Sequence, residues 1–255
     1  MKFMHARSNT AASIGAGTAT GAAPRIATIL ALALALSACP APRRPAPPEG
    51  PPPSMPAPAQ TFPGAAAYRI VPEQSLVRIL AFRGGKLASA GHNHVIASHD
   101  LSGTVWLHEE PGHSGFQIAM PVAQLAVDEQ ELRKDEGPEF AREVPQSARE
   151  GTLKNLLGAE LLQADQFPLI TLTSLQVTGT FEQLQARTRV EIRGQAHEID
   201  VPVSVERAGN RLTATGEFAV RQSELGLAPF TVMLGALQVQ DELKVKFRIV
   251  AATEP

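Results

Sequence analysis

The sequence predicts an all-β fold: an eight-stranded antiparallel β-barrel with one amphipathic helix covering a mouth or flank. Three observations carry this. From Tyr68 onward, apolar and polar residues alternate with period two, as they do when a strand has one buried and one solvated face. Turn residues separate the alternating runs, notably Ala208-Gly209-Asn210 and Arg193-Gly194. A single stretch, before Pro168, changes to helical spacing. About eight strands with one apolar face each must close into a barrel or stack as a sandwich. The inward residues are small and branched, with Trp106 the only tryptophan, which favours a barrel with room inside; a tightly packed sandwich could use the same residues.

The chain of 255 residues begins with Lys2, Arg7 and Arg25 and no acid before Cys39, leading into the apolar run Ile26 to Cys39. That run is shorter than the roughly 20 residues a membrane span needs and suits a secretory leader. It ends Leu36-Ser37-Ala38-Cys39, which resembles a bacterial lipobox. The expectation is a lipoprotein signal peptide over 1–38, lipidation at Cys39 and a periplasmic domain anchored to a membrane through that lipid. Pro40 after the cysteine is not the Asp associated with inner-membrane retention, so the outer membrane is preferred. Loss of 1–38 removes those three cations and no acids, taking the formal charge from -2 to -5. Nucleic acid is excluded as a partner, since no concentrated excess of Lys and Arg is present. With Cys39 lipidated, no cysteine remains for a disulfide, and core packing must hold the fold.

Residues 39–64 carry proline at nearly every second position from Pro40 to Pro58, which favours extended polyproline II and a spacer reaching up to about 70 Å. The domain proper covers 65–255. Its candidate strands are SLVRILAF, GTVWLH, GFQIAMPV and ITLTSLQVTGTF. HEIDVPVSVER follows, with Ile199, Val201, Val203 and Val205 on one face, and then RLTATGEFAVR, with Leu212, Ala214, Gly216, Phe218 and Val220. The last is LKVKFRIV, with Leu243, Val245, Phe247 and Ile249 opposite Lys244, Lys246 and Arg248. In TLKNLLGAELLQADQFP, Leu153, Leu156, Leu157, Glu160 and Leu161 recur at helical spacing and Pro168 stops the helix. Its leucines are read as covering the barrel. The charged stretch DEQELRKDEGPEFAREVPQSARE before it is read as a solvated excursion.

GHNHVIASH, Gly91 to His99, holds three of the seven histidines. His92 and His94 would share one face of a strand and could hold a copper or zinc ion, whereas His99 would point away. Two ligands make a weak site. The plainest reading is a solvated or hydrogen-bonded turn; between the two lies a polar anchor at a cavity mouth, where an imidazole could bond a ligand head group. HEEPGH, His108 to His113, has the wrong spacing for a zinc-protease helix, and Pro111-Gly112 forbids that helix. No Gly-x-Ser-x-Gly elbow and no phosphate loop outside the leader is present, so the protein is read as not an enzyme.

The ordered segments YRIVPEQSLVRILAF, NLLGAELLQADQFPLITLTS, VEIRGQAHEIDVPVSV and FAVRQSELGLAPFTVMLGALQVQDELKVKF resemble those of the YceI-like family of exported bacterial proteins, from Tyr68 to about Ala251. The resemblance implies a lipocalin-like barrel around a long apolar cavity that binds polyisoprenoid or similar lipid chains. Two departures stand out: the segment from Asp128 to Gly151 is longer and more charged than the family's link, and Ala196-His197 replaces a common Val-Thr pair.

A prenyl chain offers only apolar surface, so its site must be a dry tunnel worth about 25 cal/mol per Å² buried. Phe82, Phe218, Phe230 and Leu243 are the expected lining, with His92 and His94 at the mouth. The expected function is a tethered carrier or sequestering protein for an isoprenoid lipid or isoprenoid quinone, with no other cofactor. The alternative is a periplasmic metal-binding or stress protein acting through His92 and His94; a protein-binding role for 128–150 is a weaker third. A homodimer of barrels is compatible with these readings.

Overall fold

A computed structural model describes residues 61–253; the leader, Cys39 and all of the spacer except its last four residues lie outside the described residues. The strands in chain order are β1 (Ala66–Ile70), β2 (Leu76–Gly84), β3 (His94–Ser98), β4 (Ser102–Leu107), β5 (Gly115–Pro121) and β6 (Ala126–Val127). They continue as β7 (Leu169–Thr180), β8 (Gln183–Ile192), β9 (Gln195–Ala208), β10 (Arg211–Arg221), β11 (Thr231–Val232) and β12 (Leu237–Ala252). The helices are α1 (Gln130–Asp135) and α2 (Gln146–Leu157).

These strands make a closed eight-stranded antiparallel barrel. β1 and β2 run one after the other along the same edge of β12, and β4 and β3 lie beside them in the same way, as β5 and β6 lie beside those. Three of the eight staves are therefore strands interrupted by a short step. The ring continues through β7, β8, β9 and β10 and returns to β12. At the first step Pro72 opens a short 3-10 turn and leaves β12 without a ladder partner. The buried Ser75 hydroxyl fills that position: it donates to Val71 O at 2.8 Å and accepts the Val250 N–H at 3.0 Å.

The alternation expected of a barrel is complete in β8, where exposed and buried residues follow one another at every position. Sequence reading passed over this strand, because two of its inward residues, Ala186 and Thr188, carry little hydrophobic signal. Between β4 and β5 the backbones approach so closely that a Cβ at Gly103 would sit 2.1 Å from Gln117 O. β9 and β10 pair only from Ser204/Thr215 to Ala208/Arg211; beyond that, Gly216 lies against Pro202 O and the Phe247 ring, where a Cβ would not fit. The gap above is occupied by the segment after β10, with Gly226 against Gln195 and His197.

Three expectations are corrected. The helix begins and ends earlier than its leucines suggest: α2 starts after Pro145 and stops at Gly158, whose N–H closes on Asn155 O, and Leu161 and Leu162 lie in the turn beyond. The charged stretch is not a solvated excursion. Phe140 and Arg133 are buried, Phe140 packs with Leu80 and Val95, and Glu136 pairs with Arg78 at 2.8 Å and Lys246 at 2.6 Å. It forms a second layer over the outer face of β2, β3 and β12. The last residues of the spacer are docked: Phe62 stacks on Trp106 at 5.0 Å between ring centroids.

Candidate ligand cavity

The barrel is hollow. Its deep chamber, about 160 Å³, is lined by inward residues of β2, β5, β7, β8, β9, β10 and β12, among them Val77, Ile118, Leu172, Val190, Val201, Phe218, Val245 and Phe247. Thr188 is the one polar side chain in that wall, and its hydroxyl is spent on Ala186 O at 3.0 Å. A second chamber of about 190 Å³ adjoins it across a waist of Ile79, Met120, Ile170, Ile192 and Leu225. Leu156, Leu161 and Leu162 from α2 and its following turn cover this upper chamber, while Phe230, Val239 and Leu243 form its opposite wall.

Phe218 lines the deep chamber, and Phe230 and Leu243 the upper one. Phe82 does not line either. Ile79 and Ala81 face inward, so Phe82 one position on faces outward, where its ring meets Phe140 edge-on at 5.7 Å. Strand parity places Phe82 under the outer layer, not in the lining.

His94 is the first residue of β3, opposite Ala81 of β2, and it lines the upper chamber. The turn expected for this stretch thus ends at Asn93. That side chain is buried; it accepts the Arg83 N–H at 3.1 Å and donates to Glu139 O at 3.2 Å. His94 Nδ1 meets Asp128 Oδ2 at 2.7 Å, and Asp128 Oδ1 accepts the Val95 N–H at 2.9 Å and the Arg133 guanidinium. Arg133 is held in turn by Asn93 O at 2.6 Å and Arg142 O at 2.9 Å. Asp128 itself has a left-handed backbone, φ 56°, which aspartate tolerates better than most residues. Burial works against ionisation of its carboxyl, but the His94 bond and charge, the Val95 N–H and Arg133 outweigh it and hold the pKa below the ordinary carboxylate value.

His92 lies beside this group, its ring edge-on to His94 at 4.6 Å, with Nε2 buried and without a hydrogen-bond partner. Burial, and next the neighbouring His94, lowers its pKa from 6.5; Asp128 opposes this, and Arg133 and Arg142 add to it. Potential ligand atoms of His92, His94 and Asp128 lie within 4.8 Å of one another. His99 is apart, on the outer side with Glu129 at 2.7 Å. Asp128 and Arg133 were not singled out in the sequence, where they sit in a run of charges 34 and 39 residues after His94.

The family model of the YceI-like domain matches residues 68–251. The chain belongs to the YceI-like family. Among solved structures, BcnA of Burkholderia cenocepacia is 17% identical and covers 72% of this chain and 99% of its own, with a TM-score of 0.52. A polyisoprenoid-binding domain from Saccharophagus degradans, implicated in plant cell wall breakdown, is 11% identical over 73% of this chain and 98% of its own, TM-score 0.49. The Campylobacter jejuni YCEI protein is 11% identical over 63% and 85%, TM-score 0.47. A comparison with curated proteins gives no match. The YceI-like family consists of binding proteins rather than enzymes, and its barrel here encloses an apolar space fit for an apolar ligand.

Proposed function

We propose that this YceI-like protein holds an isoprenoid lipid, or the chain of an isoprenoid quinone, in its barrel and carries or sequesters it while tethered by a lipid at Cys39 to a membrane facing the periplasm. The observation that carries the reading is the deep chamber, whose wall offers a ligand no free polar group. An aliphatic chain gains about 0.8 kcal/mol per buried CH₂ there, whereas a polar ligand would lose its hydrogen bonds with water and gain none. Family membership supports the same class of ligand. The lipobox-like Leu36 to Cys39 and the proline-rich spacer support the tether, whose test is metabolic labelling with a radioactive fatty acid, lost in Cys39→Ala.

Equilibrium binding of prenyl alcohols of increasing length tests the ligand class. Affinity rises with each added isoprene unit until both chambers are filled, and Val201→Trp, which fills the deep chamber, abolishes the gain from the longer chains. Equal weak binding at all lengths in both proteins would refute the reading.

A further inference from the structure

We infer that the rim of the upper chamber is a bilayer-docking surface: the tip of the β11–β12 hairpin, Met233 and Leu234, with Val232 and Leu87 beside it, enters the interfacial zone of a phospholipid membrane and sets the chamber against the lipid from which its ligand comes. That last clause rests on the cavity-ligand reading above; the docking itself does not.

Among the described residues, the large apolar side chains left exposed are Leu87, Val232, Met233 and Leu234, and they share one patch. β11 pairs with the start of β12, Thr231 opposite Gln238 and Val232 opposite Leu237, and residues 233–236 turn between them. Leu87, in the turn after β2, donates its N–H to Ala236 O at 2.8 Å, and Gly85 lies so near that carbonyl that a Cβ would meet it at 2.5 Å. Phe230 and Val239, which flank the hairpin and are joined by a 2.9 Å bond from Val239 N–H to Phe230 O, line the upper chamber. The patch therefore stands on the rim of that chamber.

Met233 is 70% exposed, and Leu234, at 108%, is as open as in an extended chain. Both also have left-handed backbone, φ 53° and 55°, at positions where asparagine and glycine would be unstrained. The fold thus accepts two costs at one place, bare apolar surface and a strained turn, with no packing around the tip to offset either. Such a combination marks a surface kept for binding.

Charge and size name the occupant. No charged residue occurs from Gly226 to Gln240, and no acid from Gly84 to His99. Arg83 and Lys86 precede Leu87 and are exposed, and Arg142 reaches the same turn, 3.2 Å from Gly91 O and 3.4 Å from Ser89 O. An uncharged apolar tip flanked by cations suits acyl chains beneath anionic head groups. Four side chains fall well short of the roughly 20–30 residues a side that a standard protein interface uses. The reach also fits. β1 meets the far end of β12, Arg69 opposite Ala252, so the chain enters the barrel at the end away from the tip. The 16 residues of β12 span about 50 Å. The spacer expected over 39–64, with its reach of about 70 Å, exceeds that, so the proposed tether would leave the tip free to meet the membrane that holds it.

The test is flotation of the chain from residue 39, carrying Cys39→Ala so that no lipid holds it, with isoprenoid-free vesicles of phosphatidylethanolamine and phosphatidylglycerol. Met233→Asn/Leu234→Gly removes the apolar tip and the strain together. It is expected to lose on the order of tenfold in vesicle partitioning while its thermal midpoint stays at or above that of the wild type, so unfolding cannot account for the loss. Lys86→Gln should weaken binding to these vesicles and not to phosphatidylcholine vesicles. Val201→Trp, with its deep chamber filled, should dock like the wild type. Vesicles loaded with geranylgeraniol should deliver it more slowly to the double variant than to the wild type, with equal uptake once equilibrium is reached. Vesicle binding that is equal in the wild type and the double variant, or absent from the wild type, would overturn the docking surface and leave the cavity reading standing. Equal delivery rates despite lost docking would overturn the role of docking in supplying the ligand. Docking by a wild type that takes up no geranylgeraniol would overturn the cavity reading and leave the docking surface standing. A wild-type dimer dissociated in the double variant, without vesicle binding, would overturn the inference in favour of a contact between copies of the chain.

Discussion

The two chambers of the barrel are held by different forces. The deep one is framed by long, regular strands whose inner faces are aliphatic and whose hydrogen bonds lie in the ladders. The upper one is framed by interrupted staves, a helix and a turn, and its wall beside β3 is fixed by a buried ionic network reaching across 128–142. A purely apolar cavity binds a chain without fixing its direction. Concentrating the ionised, hydrogen-bonded groups at one end makes the two ends of the cavity chemically unlike, because buried charges tolerate few alternative arrangements.

The largest effect is expected where that network is broken. Arg133→Met leaves the Asp128 carboxylate buried without its cation and should cost roughly 3–5 kcal/mol in urea unfolding; a loss within error would mean that the network does not hold the upper wall. Next, Leu212→Ala, in the main core and 1% exposed, should cost about 2–5 kcal/mol in the same measurement. Ser75→Ala removes the partner of Val250 N–H at the first strand step and should cost about 1–3 kcal/mol.

The response to pH separates the two ends further. His92 has its pKa lowered on folding, so the folded state disfavours the charged ring: stability is complete above pH 6.5 and falls as pH drops from there towards the folded value. The Asp128 pKa is also lowered, and its contribution is present above its unfolded value of 3.8 and lost as pH falls through the lower folded value. Unfolding followed from pH 8 to 3 should therefore show a first decline just below 6.5, absent in His92→Phe. The smallest effect belongs to the outer surface of β8 and β9, where Arg187 and Glu198 pair in solvent; Arg187→Ala should leave the unfolding midpoint unmoved.

The deep chamber was the legible part of the sequence. Ile199, Val201, Phe218, Val220, Val245 and Phe247 announce their face by period-two spacing, a local signal that needs no knowledge of the partner strand. The upper wall was legible only in fragments. His94 drew notice as a histidine, but its placement depends on Asp128, 34 residues away, and a buried carboxylate inside DEQELRKDE reads like the solvated charges around it. The same masking hid Arg133 and Phe140. Phe82 shows the opposite failure: a large apolar residue that looks like lining belongs to the outer layer, because a second set of elements covers that face of β2.

The most direct measurement of whether the barrel holds a lipid is native mass spectrometry of the protein isolated from a host that exports it, repeated after denaturation. A one-to-one adduct of isoprenoid mass is expected, released on unfolding and missing from Val201→Trp. Protein that carries no lipid, or only an increment of metal mass, would contradict it.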